Sequence, residues 1–203
     1  MPLVFTRQTD LVQMAVWNKT ESVEQLLPIA RLDALGEAEY VCLSNARRQT
    51  EWLATRVLLD QMLGNHVHLS HATSGKPYLL NDSRFVSISH SPNMVAVMVS
   101  ERNLGIDIER IHARTVKVRG KFLTGSEPDW CTTEEEHTLV WTVKEAAYKL
   151  VDDQLLHTEV EVLERPVIKP EFSFDIVIRK NGLLKMICNS MKIDDNILSY
   201  LVG

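Results

Sequence analysis

The spacing of apolar residues predicts two long helices, and each helix is followed by short segments with the alternating pattern of β-strands. The first helix begins at a cap provided by Ser44, runs to about Leu63 and stops at Gly64. A capping-box pattern within residues 132–136 begins the second helix, which continues to about Leu150. The predicted strands cover residues 13–17, 67–71, 77–80, 85–89, 94–100, 104–111, 159–163, 172–179, 183–189 and 197–202. This doubled order of helix and strands favours folds in which helices cover antiparallel sheets.

The predicted fold class is α+β, with two pseudo-symmetric lobes that each pack a long helix on a small, mainly antiparallel sheet. The repeated order of elements divides the chain into an N-terminal lobe of residues 1–103 and a C-terminal lobe of residues 104–203. We expect the active site at the lobe interface, because crevices between such halves are common ligand sites. With 45% apolar and 24% charged residues, the chain has enough hydrophobic material for a folded core.

Charge, cysteine content and hydropathy argue against several classes of protein. The net charge of -5 argues against general nucleic-acid binding, which needs a basic face. Cys42, Cys131 and Cys188 are odd in number and widely spaced, so we predict neither a disulfide framework nor a cysteine zinc site. Cysteines without disulfides fit a reducing compartment, so we expect a cytoplasmic location. The N-terminus has no apolar signal segment and the apolar run at residues 94–99 is too short to span a bilayer, so we expect no membrane insertion.

A predicted strand with two acidic side chains begins the C-terminal lobe. In residues 105–110, strand alternation places Ile106 and Ile108 on one face. Asp107 and Glu109 share the other face. Two carboxylates this close repel each other, which is costly on a half-buried strand unless a cation holds them. Magnesium is a natural candidate, because one or two carboxylates typically hold it while water and substrate phosphates fill its other positions. The alternative is a polar strand edge that faces solvent.

The second helix carries an acidic and a basic side chain one turn apart. Glu145 and Lys149 are separated by four residues and therefore lie on one helix face, and Trp141 precedes Glu145 by the same step. An isolated pair at this spacing is typical of a surface ion pair worth a few tenths of a kcal/mol. The helix alone therefore does not define a catalytic site.

Residue types that bind phosphate or metal occur in three further segments. The turn at residues 74–77 lacks the first glycine and the final Ser or Thr of a P-loop, although Lys76 in that turn can meet a phosphate. His90 ends an apolar strand beside hydroxyl groups, where it either donates to a phosphate or has a structural role. Three closely spaced histidines have no carboxylate or cysteine nearby to complete a zinc site; they are His66, His68 and His71.

Five short motifs resemble, in order and approximate spacing, those of the 4'-phosphopantetheinyl transferase superfamily, in particular its larger two-lobed, surfactin-synthetase-activating type. The motifs are residues 75–77 (GKP), 88–91 (ISHS), 105–110 (GIDIER), 121–127 (KFLTGSE) and 141–149 (WTVKEAAYK). Each motif alone is weak, whereas the ordered set is specific and covers the chain well from about Arg47 to Lys149. Residues 195–200 also resemble a typical last strand of the family.

This resemblance implies transfer of the 4'-phosphopantetheine group of coenzyme A to a serine of an apo acyl or peptidyl carrier protein, with release of adenosine 3',5'-bisphosphate. It implies Mg²⁺ as the cofactor, held by Asp107, Glu109 and Glu145 against the pyrophosphate of coenzyme A. Glu145 is also implied as the catalytic base, while Lys149, one turn away, is placed to stabilise or protonate the departing phosphate oxygen. Further implied contacts to coenzyme A come from Lys76, Ser89, His90 and one arginine of the pair Arg47 and Arg48.

A basic stretch follows the acidic strand. Five Lys or Arg residues and no carboxylate occur between positions 110 and 121, namely Arg110, Arg114, Lys117, Arg119 and Lys121. Because carrier proteins in this family's reactions are usually acidic, this stretch is a candidate docking surface, and the alternative is a solvated loop.

Two other functions could use the same residues. One is a magnesium-dependent phosphohydrolase of a nucleotide or diphosphate, and the other is a non-catalytic module that binds coenzyme A or a carrier. The chain departs from the family at residues 151–157, where family members often have a glycine-containing loop. Two lobes that complete one site within a single chain favour a monomer, and the acceptor's pathway stays open among fatty-acid, polyketide and nonribosomal-peptide synthesis.

Overall fold

The chain forms two compact units, Met1–Arg102 and Asn103–Gly203. A computed structural model describes residues 3–64, 67–151 and 154–203. Both units combine helices with antiparallel strand pairs, which confirms the predicted α+β class. Among the residues described, no helix has both the length and the apolar character that crossing a bilayer requires.

The first unit contains a four-stranded sheet, a two-stranded hairpin, three α-helices and a 3-10 turn at Leu27–Ile29 within its described residues. Its strands are β1 (Leu3–Gln8), β2 (Val12–Asn18), β3 (Leu69–His71), β4 (Pro77–Leu79), β5 (Phe85–His90) and β6 (Met94–Ser100). Its helices are α1 (Val23–Leu26), α2 (Ala34–Val41) and α3 (Ala46–Leu63). The sheet order is β1-β2-β6-β5 with every neighbouring pair antiparallel, while β3 and β4 form the hairpin.

The helix α3 supplies much of the apolar core of this unit. Leu53, Val57 and Leu58 of α3 are buried in one cluster with Trp17 of β2 and Val97 of β6. Every residue from 53 to 59 is buried, so this part of α3 is enclosed on all sides.

The two ends of α3 are set by neighbouring residues. The Asn45 side-chain oxygen accepts hydrogen bonds from the backbone N–H groups of Arg47, at 2.9 Å, and Arg48, at 3.3 Å. The prediction of Ser44 as the cap is wrong by one residue, because two good capping residues are adjacent and either type can satisfy the first N–H groups. Gly64 ends the helix as predicted, with a left-handed φ of 71°.

The second unit contains a five-stranded antiparallel sheet, three α-helices and two 3-10 turns, Arg119–Lys121 and His157–Glu159, within its described residues. Its strands are β7 (Leu104–Arg110), β8 (Val160–Val162), β9 (Glu171–Ile178), β10 (Leu184–Ile193) and β11 (Asn196–Val202). Its helices are α4 (Ala113–Val118), α5 (Glu127–Trp130) and α6 (Glu134–Val151). The sheet order is β7-β11-β10-β9-β8.

The start of α6 is fixed by the capping box that the sequence predicts. The Glu136 carboxylate accepts hydrogen bonds from the backbone N–H groups of Thr132 and Thr133, both at 2.9 Å. In return, the Thr133 hydroxyl accepts from the backbone N–H of Glu136 at 3.2 Å. This reciprocal pairing satisfies amide groups that the helix itself leaves unpaired.

Several short elements are absent from the sequence-based prediction, namely β1, α2, α4 and α5. Short helices give too few turns for a clear apolar period, and tertiary packing decides their formation. The basic stretch illustrates this: α4 occupies part of it, and Val118 packs against the apolar core of the second unit. The alternative of a solvated loop is therefore wrong for the backbone of residues 113–118, although Arg114 and Lys117 are exposed to solvent.

Strand β7 and helix α6 approach each other unusually closely at Gly105. A Cβ atom built at Gly105 would lie 1.9 Å from the carbonyl oxygen of Ala146 and 2.7 Å from the amide nitrogen of Leu150. Both are backbone atoms of α6, which cannot move aside as a side-chain end can. Glycine is therefore required for this distance between strand and helix.

We expect Gly105→Ala to lower the free energy of unfolding by about 1–3 kcal/mol, because the added methyl group overpacks the contact with the α6 backbone. Gly120→Ala is the matched control, since no heavy atom lies within 4 Å of a Cβ built at Gly120. Urea denaturation of both variants measures the difference. An equal effect of the two substitutions would contradict the steric explanation.

Candidate active site

The two acidic residues of β7 occupy the strand face that also carries Gly105 and is turned toward α6. Asp107 is only 3% exposed. Glu109, two residues further along, is partly buried. The alternative of a polar edge that faces solvent is therefore wrong for Asp107.

Lys149 links α6 to this face of β7. Its ammonium group donates to Asp107 Oδ1 at 2.8 Å and to the carbonyl oxygen of Ile106 at 2.9 Å. The Asp107 side chain is 5% exposed and that of Lys149 is 27% exposed, so this ion pair reaches from the interior toward solvent. Lys149 thus has a partner outside its own helix, unlike a simple surface ion pair between consecutive turns.

Glu109 lies in a region of excess negative charge. Burial raises the pKa of Glu109 to about 7, and the neighbouring charge of Asp107 adds to the rise. A hydrogen bond from the Trp141 side chain and the positive charge of Lys149 oppose the rise, while Glu145 adds a smaller contribution to it. The predicted carboxylates and Lys149 therefore share one electrostatic environment.

Glu145 is contacted by a residue that follows α6. Its Oε1 atom lies 2.9 Å from Nε2 of His157, and both side chains are about three-quarters buried, with exposed fractions of 24% and 27%. The His157 ring packs on the indole of Trp141 with a centroid distance of 4.9 Å. Trp141 in turn meets Phe122 edge-on at 5.3 Å. Sequence reasoning missed His157, because its distance of twelve residues from Glu145 has no helical or strand period.

A fully buried ion pair lies elsewhere on α6. Lys144 Nζ donates to Glu127 at 2.7 Å, to the carbonyl oxygen of Phe122 at 2.7 Å and to that of Val160 at 2.6 Å. Burial lowers the pKa of Lys144 and raises the pKa of Glu127, while their mutual attraction opposes both shifts. The pair joins α6 to the segment before α5 and to β8, so Lys144 has a structural role although it adjoins Glu145 in sequence.

In the first unit, Glu51 on α3 forms ion pairs with two basic side chains. It accepts from Arg47 Nε at 3.0 Å and from Lys19 Nζ at 3.1 Å. Lys19 also donates to the carbonyl oxygen of Ser91 at 2.7 Å, next to the predicted His90. His90 Nε2 lies 3.0 Å from the Thr55 hydroxyl, one turn along α3 from Glu51. The structure thus places the predicted Arg47 and His90 in one polar cluster, which also contains Lys19.

The remaining predicted residues of the first unit differ in exposure. Arg48 is exposed on the first turn of α3, and Lys76 lies half-exposed in the turn between β3 and β4. Ser89 is buried on β5, with 6% exposure. His66 of the histidine trio lies outside the described residues, as do Asp152 and Asp153 of the loop that departs from the family.

The donor chemistry of the second unit fits a magnesium ion. Asp107, Glu109 and Glu145 offer carboxylate oxygens, which Mg²⁺ prefers, and the charge of Asp107 adds to the burial that raises the pKa of Glu109. Within the part of the chain described, no three His, Cys, Asp or Glu side chains converge as a preformed metal site. Lys149 and His157 instead supply donors to two of the carboxylates.

The second unit thus places an acidic strand against a helix that carries Trp141, Glu145 and Lys149. Comparison with known proteins relates this arrangement to one family. Residues 103–186 match the sequence model of the family described as the 4'-phosphopantetheinyl transferase superfamily. The superfamily predicted from the motifs is therefore confirmed.

Two relatives support the same class. The 4'-phosphopantetheinyl transferase gsp of Aneurinibacillus migulanus is 34% identical over 83 residues, which cover 38% of this chain and 35% of gsp. The 4'-phosphopantetheinyl transferase AcpT of Salmonella typhi is 30% identical over 112 residues, covering 50% of this chain and 58% of AcpT. The chain thus spans about a third of one relative and somewhat more than half of the other. Both relatives bear the name of the predicted enzyme class.

The raised pKa of Glu109 predicts how the stability of the metal-free protein changes with pH. Because the pKa of Glu109 is about 7 when folded and near 4.5 when unfolded, the folded state holds more protons between these values, and stability falls as pH rises through them. Glu109→Gln removes the ionised form. We expect the variant to match wild type at acidic pH and to exceed its free energy of unfolding by about 2 kcal/mol above pH 7, allowing for the partial exposure of the carboxyl.

Urea denaturation with a chelator present, at a pH near 4.5 and again near 8, measures this difference. The exposed Glu164 provides the control substitution Glu164→Gln, for which the difference from wild type should stay the same at both pH values. A pH-independent difference for Glu109→Gln would show that its carboxyl titrates normally.

Proposed function

We propose that the chain transfers the 4'-phosphopantetheine group of coenzyme A to a serine of an apo acyl or peptidyl carrier protein and releases adenosine 3',5'-bisphosphate. The observation that carries the proposal is the set of three carboxylates and Lys149 in one electrostatic environment on β7 and α6. This set lies within the residues that match the superfamily.

In the proposed reaction, the acceptor serine oxygen forms a bond to the phosphorus that bears the pantetheine arm. The bond from this phosphorus to the bridging oxygen breaks, and the bridging oxygen leaves on the adenosine bisphosphate. Glu145 takes the serine proton as general base. Lys149 donates to the departing phosphate oxygen, which gains negative charge as the bond breaks.

The carboxylates that would hold Mg²⁺ are Asp107, Glu109 and Glu145. Bound there, the ion would neutralise charge on the diphosphate of coenzyme A. Lys149 already neutralises one oxygen of Asp107, and its ammonium would be shared with the phosphate when coenzyme A binds. The burial of Asp107 excludes water from this end of the site.

Residues of the first unit are proposed to bind the nucleotide and phosphates of coenzyme A. They are Arg47 or Arg48, Lys76, Ser89 and His90. Arg47 is held at its Nε by Glu51, which leaves the outer nitrogens of an otherwise exposed guanidinium for a phosphate. His90 lies in the same polar cluster, next to the Thr55 hydroxyl and near Glu51.

The carrier protein is proposed to dock on α4. Arg114 and Lys117 are exposed on this helix, and among the described residues neither has a carboxylate within ion-pair distance. Arg110, by contrast, is paired with Asp195. An acidic helix of a carrier would therefore meet basic side chains that are not already neutralised.

A cytoplasmic location and a monomeric state are part of the same proposal.

The decisive experiment incubates the protein with coenzyme A, Mg²⁺ and an apo carrier protein, followed by mass spectrometry of the carrier. A mass gain of one phosphopantetheine is expected. Asp107→Asn should lower kcat by at least about 100-fold while the protein stays folded, because it removes the buried charge that faces Lys149. Asp175→Asn on the exposed face of β9 is the control and should transfer normally.

Other products of this assay would replace the proposal. Free phosphate without carrier modification indicates a phosphohydrolase, and coenzyme A binding without any covalent change indicates a binding module. Full activity of Asp107→Asn would show that the acidic strand is not part of the active site.

The docking surface is tested by reversing its charge. We expect Arg114→Glu combined with Lys117→Glu to raise the KM for the carrier by roughly tenfold at low salt, with a smaller effect at high salt, because screening weakens exposed charges. The KM for coenzyme A should change little. Lys169→Glu combined with Lys185→Glu changes the net charge equally at exposed positions elsewhere and is the control. Equal changes in both KM values would argue against docking on α4.

A further inference from the structure

His157, which lies outside α6, touches the proposed catalytic base. Its Nε2 atom lies 2.9 Å from Glu145 Oε1. An ionised carboxylate can only accept hydrogen bonds, so the histidine nitrogen must donate in this contact. The contact is therefore a charge-assisted hydrogen bond, of a kind that is stronger and more directional than a bond between neutral groups.

The imidazole ring is itself held in place. His157 is the first residue of a 3-10 turn that is closed by hydrogen bonds from the backbone N–H of Glu159 to Leu156 and from the Leu156 N–H to the Glu159 carboxylate. One side of the ring packs on Trp141 at a centroid distance of 4.9 Å. A donor fixed by both its backbone and its ring contact can fix the carboxylate that it binds.

Glu145 needs such a partner because a glutamate on a helix surface has three rotatable bonds. Restricting them costs free energy, which the hydrogen bond offsets before the substrate arrives. Without the histidine, the carboxylate is free to turn toward Lys149, one turn further along α6. In that orientation Glu145 and Lys149 would form an ion pair, and neither would be available for its proposed catalytic role.

Trp141 connects this contact to the acidic strand. Its side chain donates to Glu109, and its ring carries His157. Two carboxylates from different elements, Glu109 on β7 and Glu145 on α6, are therefore contacted by Trp141 and by the imidazole ring that packs against it.

We propose that His157 is a positioning residue for this reaction, which orients the Glu145 carboxylate toward the acceptor serine and toward the carboxylates of β7. The inference rests on the proposed function, because it assigns a role at that same site. It also gives the segment that departs from the family a specific task, since His157 ends that segment.

Two substitutions separate the hydrogen bond from the ring packing. His157→Phe keeps a ring against Trp141 but cannot donate, whereas His157→Gln loses the ring but keeps an N–H donor. Thr158→Ala, at the exposed next position, is the control. Thermal unfolding verifies that each variant is folded.

We expect His157→Phe to lower kcat about tenfold, with the KM for coenzyme A within about twofold of wild type, because the base loses its orientation while substrate contacts remain. His157→Gln should recover most of the lost kcat. A histidine that only fills space predicts the reverse order, with His157→Phe active and His157→Gln impaired, and that result would overturn the proposal. Equal activity of both variants and wild type would overturn it too.

Binding of Mn²⁺ alone, followed by the electron paramagnetic resonance signal of the free ion, gives a readout that does not depend on turnover. His157→Phe should raise the Kd for Mn²⁺ by about tenfold, because an oriented carboxylate ligand is lost, and His157→Gln should bind nearly as wild type does. A wild-type protein that transfers no phosphopantetheine would overturn the proposed function. Unchanged Mn²⁺ binding in His157→Phe, together with normal turnover, would overturn only the role of His157.

Discussion

The second unit depends on the contact between the backbones of β7 and α6 at Gly105. Because no Cβ atom separates them, the carbonyl of Ala146 can lie against the strand, and the helix is fixed in both distance and rotation. Steps of four residues along α6 then bring Trp141, Glu145 and Lys149 to the helix face that meets the acidic strand. A larger residue at position 105 would move the helix and all three side chains together.

This close approach creates an electrostatic problem that the surrounding side chains solve. Carboxylates on a buried strand face lose hydration and repel each other, as the raised pKa of Glu109 shows. Each carboxylate meets a different donor: the ammonium of Lys149 contacts Asp107, an indole contacts Glu109, and an imidazole contacts Glu145. Neutral or shared donors neutralise this charge only in part, and the remaining negative charge is what the proposed magnesium site would require.

The sequence allowed the main helices, most strands and the acidic pair to be predicted, because each of these follows from local spacing. Alternation placed Asp107 and Glu109 on one face, and the capping box marked the start of α6. The partners of these residues could not be predicted in the same way. Lys149 bonds to a residue 42 positions away, and neither that contact nor the one from His157 to Glu145 follows a helical or strand period. They depend on the packing of elements that only the folded unit brings together.

The two lysines of the 141–149 motif show why residue type alone does not reveal a role. Lys144 is completely buried, and Glu127 with two carbonyl oxygens surrounds its ammonium. Lys149 is partly exposed and contacts Asp107. At 3.6 residues per turn, side chains five positions apart point about 140° away from each other around the helix axis, so the two ammonium groups face different surroundings. The motif therefore combines a lysine that anchors the helix in the core with one that contacts the acidic strand, and burial distinguishes them where spacing does not.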